Sequence, residues 1–478
     1  MQNYRLRAFL VPITVAVAAS LGAAAPAAAT PSALAGTSAT AGHAKLSLSA
    51  PSGPPTLVIT VRGTGFGPGE RVAIRFDAAL KAQTKARASG QFGPVKIAIP
   101  RAAAPGGHVI TAKGKKTKRK ANVNFTVSTV WTQFRFSGDH SGQNPTENVL
   151  KPGNVHKLVK KWSFPTGDSI GSSPAVAGGA VYVGDSDDSL YAVSIATGKK
   201  LWSFKTPNAV EASPAVANGL VYTGTGADGP SLFAVNQKTG KKKWSFPTNG
   251  EVISSPALAG NAIYFNSTDG HLYALNAISG KQLWKANPGG FNESSPAVAN
   301  GVVYTGTANG TIFAYHATSG KRLWKFVTGA MPAFSSAAVA GGVLYEGSGD
   351  NVYALNAKTG KRKWTFVTTG FADSSPAVVG GTVYVGSNDG HIYAINASTG
   401  KKRWGFVTPN PIDSSPAVAN GVVYFGSHDD KVYAVSAATG KKLWSFTTGA
   451  GIFSSPAVSD GVVYVGSFDG DLYAFAIP

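Results

Sequence analysis

The sequence predicts an all-β protein, an eight-bladed β-propeller preceded by a small β-sandwich. One sequence repeat recurs about every forty residues from Trp162 to the C-terminus. Each copy holds four short apolar runs, and this period with four runs is typical of a propeller blade. The SSPAV-like element of the repeat begins at Ser172, Ala212, Ser254, Ser294, Ser335, Ser374, Ser414 and Ser454.

The four strands of a blade follow from the repeat. SSPAVA is strand A, GVVYVGS is strand B, HIYAINA is strand C and KRWGFVT is strand D, with Asp-Gly or Asn-Gly turns between B and C in several copies. The last copy ends after strand C, whereas KKWSFPT (Lys160–Thr166) is a D strand with no blade before it. We therefore expect the N-terminal strand to close the eighth blade and leave no long free edge.

The chain divides into four predicted segments. Residues 1–29 have the basic start, apolar stretch and small-residue end of a secretory signal, with Arg5, Arg7 and AFLVPITVAVAASL. Residues 30–44 are small and uncharged, which predicts a flexible linker. Residues 45–128 alternate β-rich runs with Gly/Pro turns and predict the basic sandwich, and residues 129–478 form the propeller.

The predicted signal leads us to expect the mature chain outside the cytoplasm. It has no cysteine, which excludes disulfides and thiolate metal sites. No apolar stretch after the signal is long enough to span a membrane. We expect a secreted protein, extracellular or held to the cell envelope without a covalent anchor, and most simply a monomer.

The positive charge is concentrated in the small module. The whole chain carries +21, but residues 45–128 hold 15 Lys/Arg against Glu70 and Asp77, a net of +13. The loop between its last two strands has the densest run: Lys113, Lys115, Lys116, Lys118, Arg119 and Lys120. Such a loop favours an acidic cell-wall polymer or anionic lipid headgroups over nucleic acid, since the protein is exported. The alternative is a solvated hairpin.

Two resemblances follow from short motifs. GTGFGPGERV (Gly63–Val72) resembles bacterial immunoglobulin-like modules of exported proteins. The repeat Ala-x-(Thr/Ser)-Gly-Lys-x-x-Trp, as in Ala277–Trp284 and, one residue shorter, Ala196–Trp202, resembles the pyrroloquinoline-quinone (PQQ) repeat family, and so does the segment from Trp131 that leads into the propeller. That family contains quinoprotein dehydrogenases and non-enzymatic BamB-like envelope scaffolds.

The resemblance implies a fold more firmly than an activity. The dehydrogenases of the family use an adjacent cysteine pair and a calcium ion beside a catalytic aspartate. This chain has no cysteine, and no residues match the calcium ligands, so we identify no catalytic, cofactor-binding or metal residues and expect no cofactor, although PQQ and calcium stay open. The tryptophans recur once per blade, which indicates packing between blades rather than stacking on a quinone.

One set of positions breaks the repeat. The residue before each SSPAV element changes from blade to blade and should line one mouth of the central channel. The candidate ligand-binding residues in this ring are Glu211, Glu293, Phe334, Asp373, Asp413 and Phe453, and the other two positions are Gly171 and Ile253. A ring of carboxylates and phenylalanines suits a cationic or sugar-like ligand, the alternative being a solvated rim.

These observations favour a secreted, non-catalytic binding or scaffold protein of the bacterial envelope, with an envelope protein or an acidic polymer as its partner. Two alternatives stay open: a PQQ-dependent oxidoreductase with a degenerate site, and a carbohydrate-binding propeller. No hydrolase motif supports a further enzyme class.

Overall fold

The computed structural model describes residues 43–226, 230–290, 293–330 and 335–478. The predicted signal (1–29) and all but the last two residues of the predicted linker (30–44) lie outside these ranges, so both stay predictions. The described chain is built from strands, with a single turn of 3-10 helix at Val155–Lys157. No helix in the described ranges is long and apolar enough to cross a membrane.

Two sheets form the N-terminal sandwich. Its strands alternate buried and exposed residues, as in Val58–Thr64, so that Ile74, Ile110 and Phe125 fill the space between the sheets. One sheet contains Lys45–Leu48, Val58–Thr64 and Phe92–Ala98, and the other contains Ser52–Gly53, Lys120–Val127, Gly106–Gly114, Arg71–Phe76 and Ala79–Lys85. The immunoglobulin-like character and the segment boundaries stay predictions.

The remaining sheets are the propeller blades, numbered 1 to 8 in the order of their A strands. The A strands are Ala175–Ala177, Ala215–Ala217, Ala257–Ala259, Ala297–Ala299, Ala338–Ala340, Ala377–Val379, Ala417–Ala419 and Ala457–Ser459. The B strands are Ala180–Asp185, Leu220–Gly224, Ala262–Asn266, Val302–Thr307, Val343–Ser348, Thr382–Gly386, Val422–Ser427 and Val462–Gly466.

The outer half of each blade is formed by strands C and D. The C strands are Ser189–Ser194, Pro230–Asn236, Leu272–Asn276, Thr311–His316, Asn351–Asn356, His391–Asn396, Lys431–Ser436 and Asp471–Ala476. The D strands are Lys200–Lys205, Lys242–Pro247, Gln282–Ala286, Arg322–Val327, Arg362–Val367, Lys402–Val407, Lys442–Thr447 and, for blade 8, Val159–Pro165.

The ring closes through the N-terminal strand, as the missing last D strand predicts. Val159–Pro165 pairs antiparallel with Asp471–Ala476, placing Trp162 opposite Ala474 and Phe164 opposite Leu472. Blade 8 is therefore made from both ends of the propeller. The all-β propeller fold is confirmed.

At the outside of the ring, one tryptophan per blade joins neighbouring blades. The Nε1–H of Trp324 on blade 4 donates to the Ala357 carbonyl of blade 5 at 3.0 Å, and the corresponding bond of blade 7 runs from Trp444 to Leu158 at 2.9 Å. The indole ring also lies against the glycine of the next Thr-Gly-Lys turn, as Trp324 does against Gly360. The tryptophans thus hold blades together, as their spacing predicts.

At the axis, the second serine of each SSPAV element forms a closed ring of hydrogen bonds. The backbone N–H of Ser173 donates to Ser213 Oγ at 2.9 Å, each later blade repeats the bond, and Ser455 donates back to Ser173 Oγ at 2.9 Å. The remaining members, in order, are Ser255, Ser295, Ser336, Ser375 and Ser415. These serines are buried, so the bonds satisfy backbone groups at the most crowded part of the fold.

The segment from Trp131 to Asn144, called the lead-in segment below, contacts every blade in turn. It hydrogen-bonds the fifth position of each SSPAV element, from Val176 on blade 1 to Val458 on blade 8. Its contacting residues are Trp131, Thr132, Gln133, Gly138, Asp139, Ser141, Gly142 and Asn144. Because that position lies at the end of strand A nearest the A–B turns, the segment covers this end of the channel.

Two buried side chains fill the middle of the lead-in segment. The Arg135 guanidinium donates to the carbonyls of Pro376 and Pro416, and its side chain is only 2% exposed. His140 is equally buried, and burial, followed by the nearby Arg135 charge, lowers the pKa of its imidazole to about 3. A neutral imidazole and an arginine held by carbonyls complete the floor of the channel.

The sandwich packs at the same end of the propeller. Asn148, just after the lead-in segment, donates from Nδ2 to the carbonyls of Arg101 and Ala103 at 2.8 Å each. A cleft of about 570 Å³ between the two bodies is lined on the sandwich side by Gly106 and Val127 and on the propeller side by A–B and C–D turns, including Gly179. The opposite end of the channel is thus remote from the sandwich.

The tryptophan–glycine contact can be separated from glycine backbone strain by two matched substitutions. Gly360 and Gly301 both have positive φ, at 70° and 77°, but a Cβ on Gly360 would lie 2.7 Å from Trp324, whereas one on Gly301 would meet nothing within 4 Å. We expect Gly301→Ala to cost about 1 kcal/mol of unfolding free energy from left-handed strain, and Gly360→Ala to cost about 1–3 kcal/mol more from overpacking. Chemical denaturation measures both; equal losses would contradict the packing role.

Candidate functional site

The predicted ring residues are presented at the mouth of the channel, opposite the lead-in segment, by a buried neighbour. Ile412, which precedes Asp413, packs on Gly386 of the preceding blade, where a Cβ would lie only 2.5 Å from the Ile412 side chain. The Ile412 N–H also donates to the Ser387 carbonyl at 3.1 Å. This is why a glycine is the last or next-to-last residue of strand B in most blades, and why the variable residue at the mouth follows a buried apolar one in blades such as this.

A second set of mouth residues, which sequence analysis missed, lies directly beside the first on blades 6, 7 and 8. On these blades it consists of the residue after Gly-Ser at the B–C turn, fifteen positions after the ring residue of the same blade. Asn388 Nδ2 donates to Asp373 Oδ2 at 3.0 Å, and His428 Nε2 lies 2.9 Å from Asp413 Oδ2. The signal available in the sequence was that this turn position, like the first ring, changes between blades.

Asp373 and Asp413 form one acidic corner on blades 6 and 7. Burial, and secondly the charge of Asp413, raise the pKa of Asp373 to about 6, although the bond from Asn388 lowers it. His428 Nε2 is close to Asp413 but is not aligned for a hydrogen bond, and Asp413 Oδ1 and Asn388 Oδ1 have no partner among the described residues. The corner therefore has acceptor oxygens that the described chain does not satisfy.

An aromatic stack continues from this corner onto blade 8. The His428 ring lies 4.0 Å from the Phe453 ring, and Phe453 stacks on Phe468 with centroids 4.1 Å apart and planes 14° apart. Phe468 is 41% exposed. An apolar shelf therefore adjoins the carboxylates, and such a combination accommodates a cation with an aliphatic stem or a hydroxyl-rich ring.

A second acidic corner occupies blades 2 to 4. Burial, followed by the charges of Glu211 and Glu251, raises the pKa of Glu293. Glu251 lies two residues before the predicted ring position Ile253 and was missed, because only one position per blade was compared. The predicted Phe334 lies outside the described residues, so its place in the mouth stays a prediction.

A turn rich in aspartate, Asp185–Asp188 on blade 1, is held together by its own side chains. Asp185 Oδ1 accepts from the Asp187 N–H at 2.7 Å, and the Tyr191 hydroxyl donates to Asp187 Oδ2 at 2.5 Å. Within the described ranges no group of three or more His, Cys, Asp or Glu residues is arranged to hold a metal ion.

Comparison with known proteins places the chain among propellers of one family. The sequence profile of the outer membrane protein assembly factor BamB matches residues 128–287, 247–365, 309–411 and 407–477. No match was found among curated proteins.

Solved structures show the same fold. A europium-containing methanol dehydrogenase is 17% identical with a TM-score of 0.64, covering 73% of this chain and 98% of its own. BamB from Moraxella catarrhalis is 17% identical with a TM-score of 0.59, covering 67% and 99%. The designed Ika8 protein is 18% identical with a TM-score of 0.60, covering 66% and 99%. Because an enzyme, an assembly factor and a designed protein share this fold, it does not decide the activity.

The raised pKa of Asp373 predicts a stability that depends on pH. The folded chain holds this proton up to about pH 6, whereas the unfolded chain releases it near 3.8. The stabilising contribution of protonation is therefore complete below the lower value and is lost as the pH rises through the higher one. The unfolding free energy of the wild type should fall relative to that of Asp373→Asn across this window, and denaturation at several pH values measures it. Asp168→Asn, which removes one carboxylate from an exposed loop, is the control for the loss of a charge.

Proposed function

Because the chain belongs to the family of the outer membrane protein assembly factor BamB, we propose that it is a non-catalytic binding protein of the cell envelope. Its mouth would recognise a positively charged segment of a partner protein, such as a lysine side chain. The observation that carries this proposal is the acidic corner of Asp373 and Asp413 beside the stack of His428, Phe453 and Phe468.

The chemistry of the mouth supports a cationic ligand. Carboxylates whose pKa is raised by burial and by like charge gain from a nearby cation, since it relieves both effects. Within the described ranges, no lysine or arginine forms an ion pair with a mouth carboxylate. An aliphatic stem on the aromatic stack would let an ammonium group reach Asp413.

PQQ is the cofactor that the resemblance to the PQQ repeat family implies, and the described residues do not fit it. PQQ carries three carboxylates, which would face the carboxylates of the mouth. The blade tryptophans cannot form the floor of a quinone site there, because each described indole N–H is bonded between blades, as Trp324 is to Ala357. The proposed function therefore uses no quinone.

Titration with a short lysine-containing peptide tests the binding proposal. We expect Asp373→Asn/Asp413→Asn to bind it about tenfold more weakly than the wild type, from the loss of charge-assisted contacts. The control variant Asp168→Asn/Asp350→Asn removes the same charge from exposed loops and should bind nearly as well as the wild type. Equal weakening in both variants would mean that only net charge matters.

The same peptide with acetylated lysines provides the ligand control. It should bind poorly, because acetylation removes the positive charge. A neutral oligosaccharide that binds the wild type more tightly than the lysine peptide, and loses affinity in the Asp373→Asn/Asp413→Asn variant, would instead support the carbohydrate-binding alternative.

The non-catalytic part of the proposal has its own test. Protein mixed with PQQ and calcium should show the absorption spectrum of the separate components, and it should reduce no electron-accepting dye with alcohols or sugars. The physical reason is the like charge that the cofactor would meet at the mouth. Saturable dye reduction that depends on PQQ would overturn it.

A further inference from the structure

The basic loop of the sandwich forms one wall of a cleft. The cleft has a volume of about 480 Å³ and is lined by Gly69, Arg71, Lys85, Lys115, Lys116 and Lys118. Three of the six basic residues predicted from the loop are in this lining, joined by two cations from neighbouring strands that the sequence did not connect with it. Lys113, Arg119 and Lys120 lie outside it: Lys113 and Lys120 pair across the strands, and Arg119 bonds the Gly65 carbonyl.

A buried carboxylate fixes this wall. Glu70 is 1% exposed, and its two oxygens accept the N–H groups of Gly67, Lys116 and Thr117 at 2.6–3.0 Å as well as the Thr117 hydroxyl at 2.7 Å. Burial alone would raise the pKa of Glu70, but these donors outweigh it and lower the pKa to about 2. The loop is therefore not a freely solvated hairpin, because an ionised side chain beneath it holds its backbone.

The glycine at the end of the preceding strand makes room for this carboxylate. A Cβ on Gly114 would lie 2.3 Å from Glu70 Oε1. The Lys115 N–H then donates to the Arg71 carbonyl at 2.8 Å, which joins the loop to the strand that carries Arg71. The backbone N–H groups bonded to Glu70 and the bond from Lys115 to Arg71 together fix the positions of the lysines relative to Arg71.

The cations of the cleft are held against their mutual repulsion. Arg71 lies directly opposite Lys85 in the sheet, an arrangement of like charges that destabilises a strand pair. Lys115, Lys116 and Lys118 add three more charges, and no acidic residue lines the cleft. An anion in the cleft would relieve this repulsion, since opposite charges at short range favour each other.

We propose that the cleft binds phosphate groups carried by an anionic polymer or surface. Four of its five cations are lysines, which act as point charges that converge on a tetrahedral oxyanion, whereas planar carboxylates favour the paired N–H groups of arginine. Five positive charges in one cleft call for a ligand with several negative charges. The inference deepens the proposed envelope function and rests on it, but it uses residues that the mouth does not.

Calorimetric titration of the full-length mature protein with tripolyphosphate tests the cleft. Lys115→Gln/Lys116→Gln/Lys118→Gln should bind about tenfold more weakly than the wild type, or worse. The control Lys199→Gln/Lys241→Gln/Lys281→Gln removes the same charge from exposed propeller turns and should change affinity by less than about twofold. Equal effects of the two variants would overturn the proposal.

A second variant separates a built cleft from general attraction. Glu70→Gln makes the protein more positive, so nonspecific attraction of anions would strengthen. A cleft shaped by the carboxylate would bind tripolyphosphate more weakly, because the amide cannot accept all four donors. If Glu70→Gln melts far below the wild type, the lysine variants alone decide the question.

Separate titrations identify the chemical class of the ligand and its source. Citrate, with carboxylates in place of phosphates, should bind at least about tenfold more weakly than tripolyphosphate, and equal binding would overturn the phosphate assignment. Polyglycerol phosphate and phosphatidylglycerol vesicles then distinguish a wall polymer from a lipid surface. Binding to either one, lost in the cleft variant and kept in the control, supports the proposal; binding to neither overturns it. Lysine-peptide binding at the mouth is measured on the same variants, so failure at one site is distinguishable from failure at the other.

Discussion

The closed ring of serine hydrogen bonds at the axis is the constraint on which the rest of the structure depends. Ser173 both donates to blade 2 and accepts from blade 8, so the ring has no first or last member. Each blade is thereby fixed to two neighbours at its inner edge, while the tryptophans fix it at the outer edge. The ring needs small side chains that accept a backbone N–H, and this explains why the second serine is kept in all eight copies while the residue before the element varies. The scaffold fixes where the variable residues lie but not which residues they are, so these positions are free to serve binding.

The lead-in segment gives the two ends of the symmetric ring different roles. Because one segment crosses eight equivalent strands, a different residue contacts each blade. Trp131 contacts blade 1 through its backbone, Gln133 contacts blade 3 through its side chain, and Asn144 contacts blade 8. Arg135 and His140 occupy the centre without a carboxylate partner in the described chain, which disfavours charge on the imidazole. With the floor filled in this way, the proposed ligand would approach the channel from the mouth, where the carboxylates and the aromatic stack lie.

Sequence analysis predicted the fold well because repetition reports it directly. Four apolar runs per copy gave the blades, and the missing last D strand gave the pairing of Val159–Pro165 with Asp471–Ala476. The site was only half predicted, since its residues meet across turns that a linear comparison keeps apart. The ring of Asp373 and Asp413 was visible as a variable position, but His428 lies fifteen residues after Asp413, on a turn that the comparison of SSPAV elements did not include. The role of Glu70 was invisible for the same reason: apart from Gly67, its donors are on Lys116 and Thr117, 46 and 47 positions away in the chain.

The two proposed sites differ in charge and lie far apart, and the strands of the sandwich show how this separation arises. Gly106 and Val127 line the cleft against the propeller, whereas Gly114 and Lys120 are the opposite ends of the same two strands. A nine-residue strand spans roughly 25–30 Å, so the phosphate cleft is at the end of the sandwich remote from the propeller. The sandwich in turn packs beside the covered end of the channel. An anionic layer bound by the cleft would therefore leave the acidic mouth on the far side of the molecule. The layer and the mouth carboxylates would then be separated by more than the screening length of about 10 Å at 0.1 M salt, so they would not repel each other. The basic module and the acidic mouth can then bind their partners at the same time, as a scaffold between two surfaces requires.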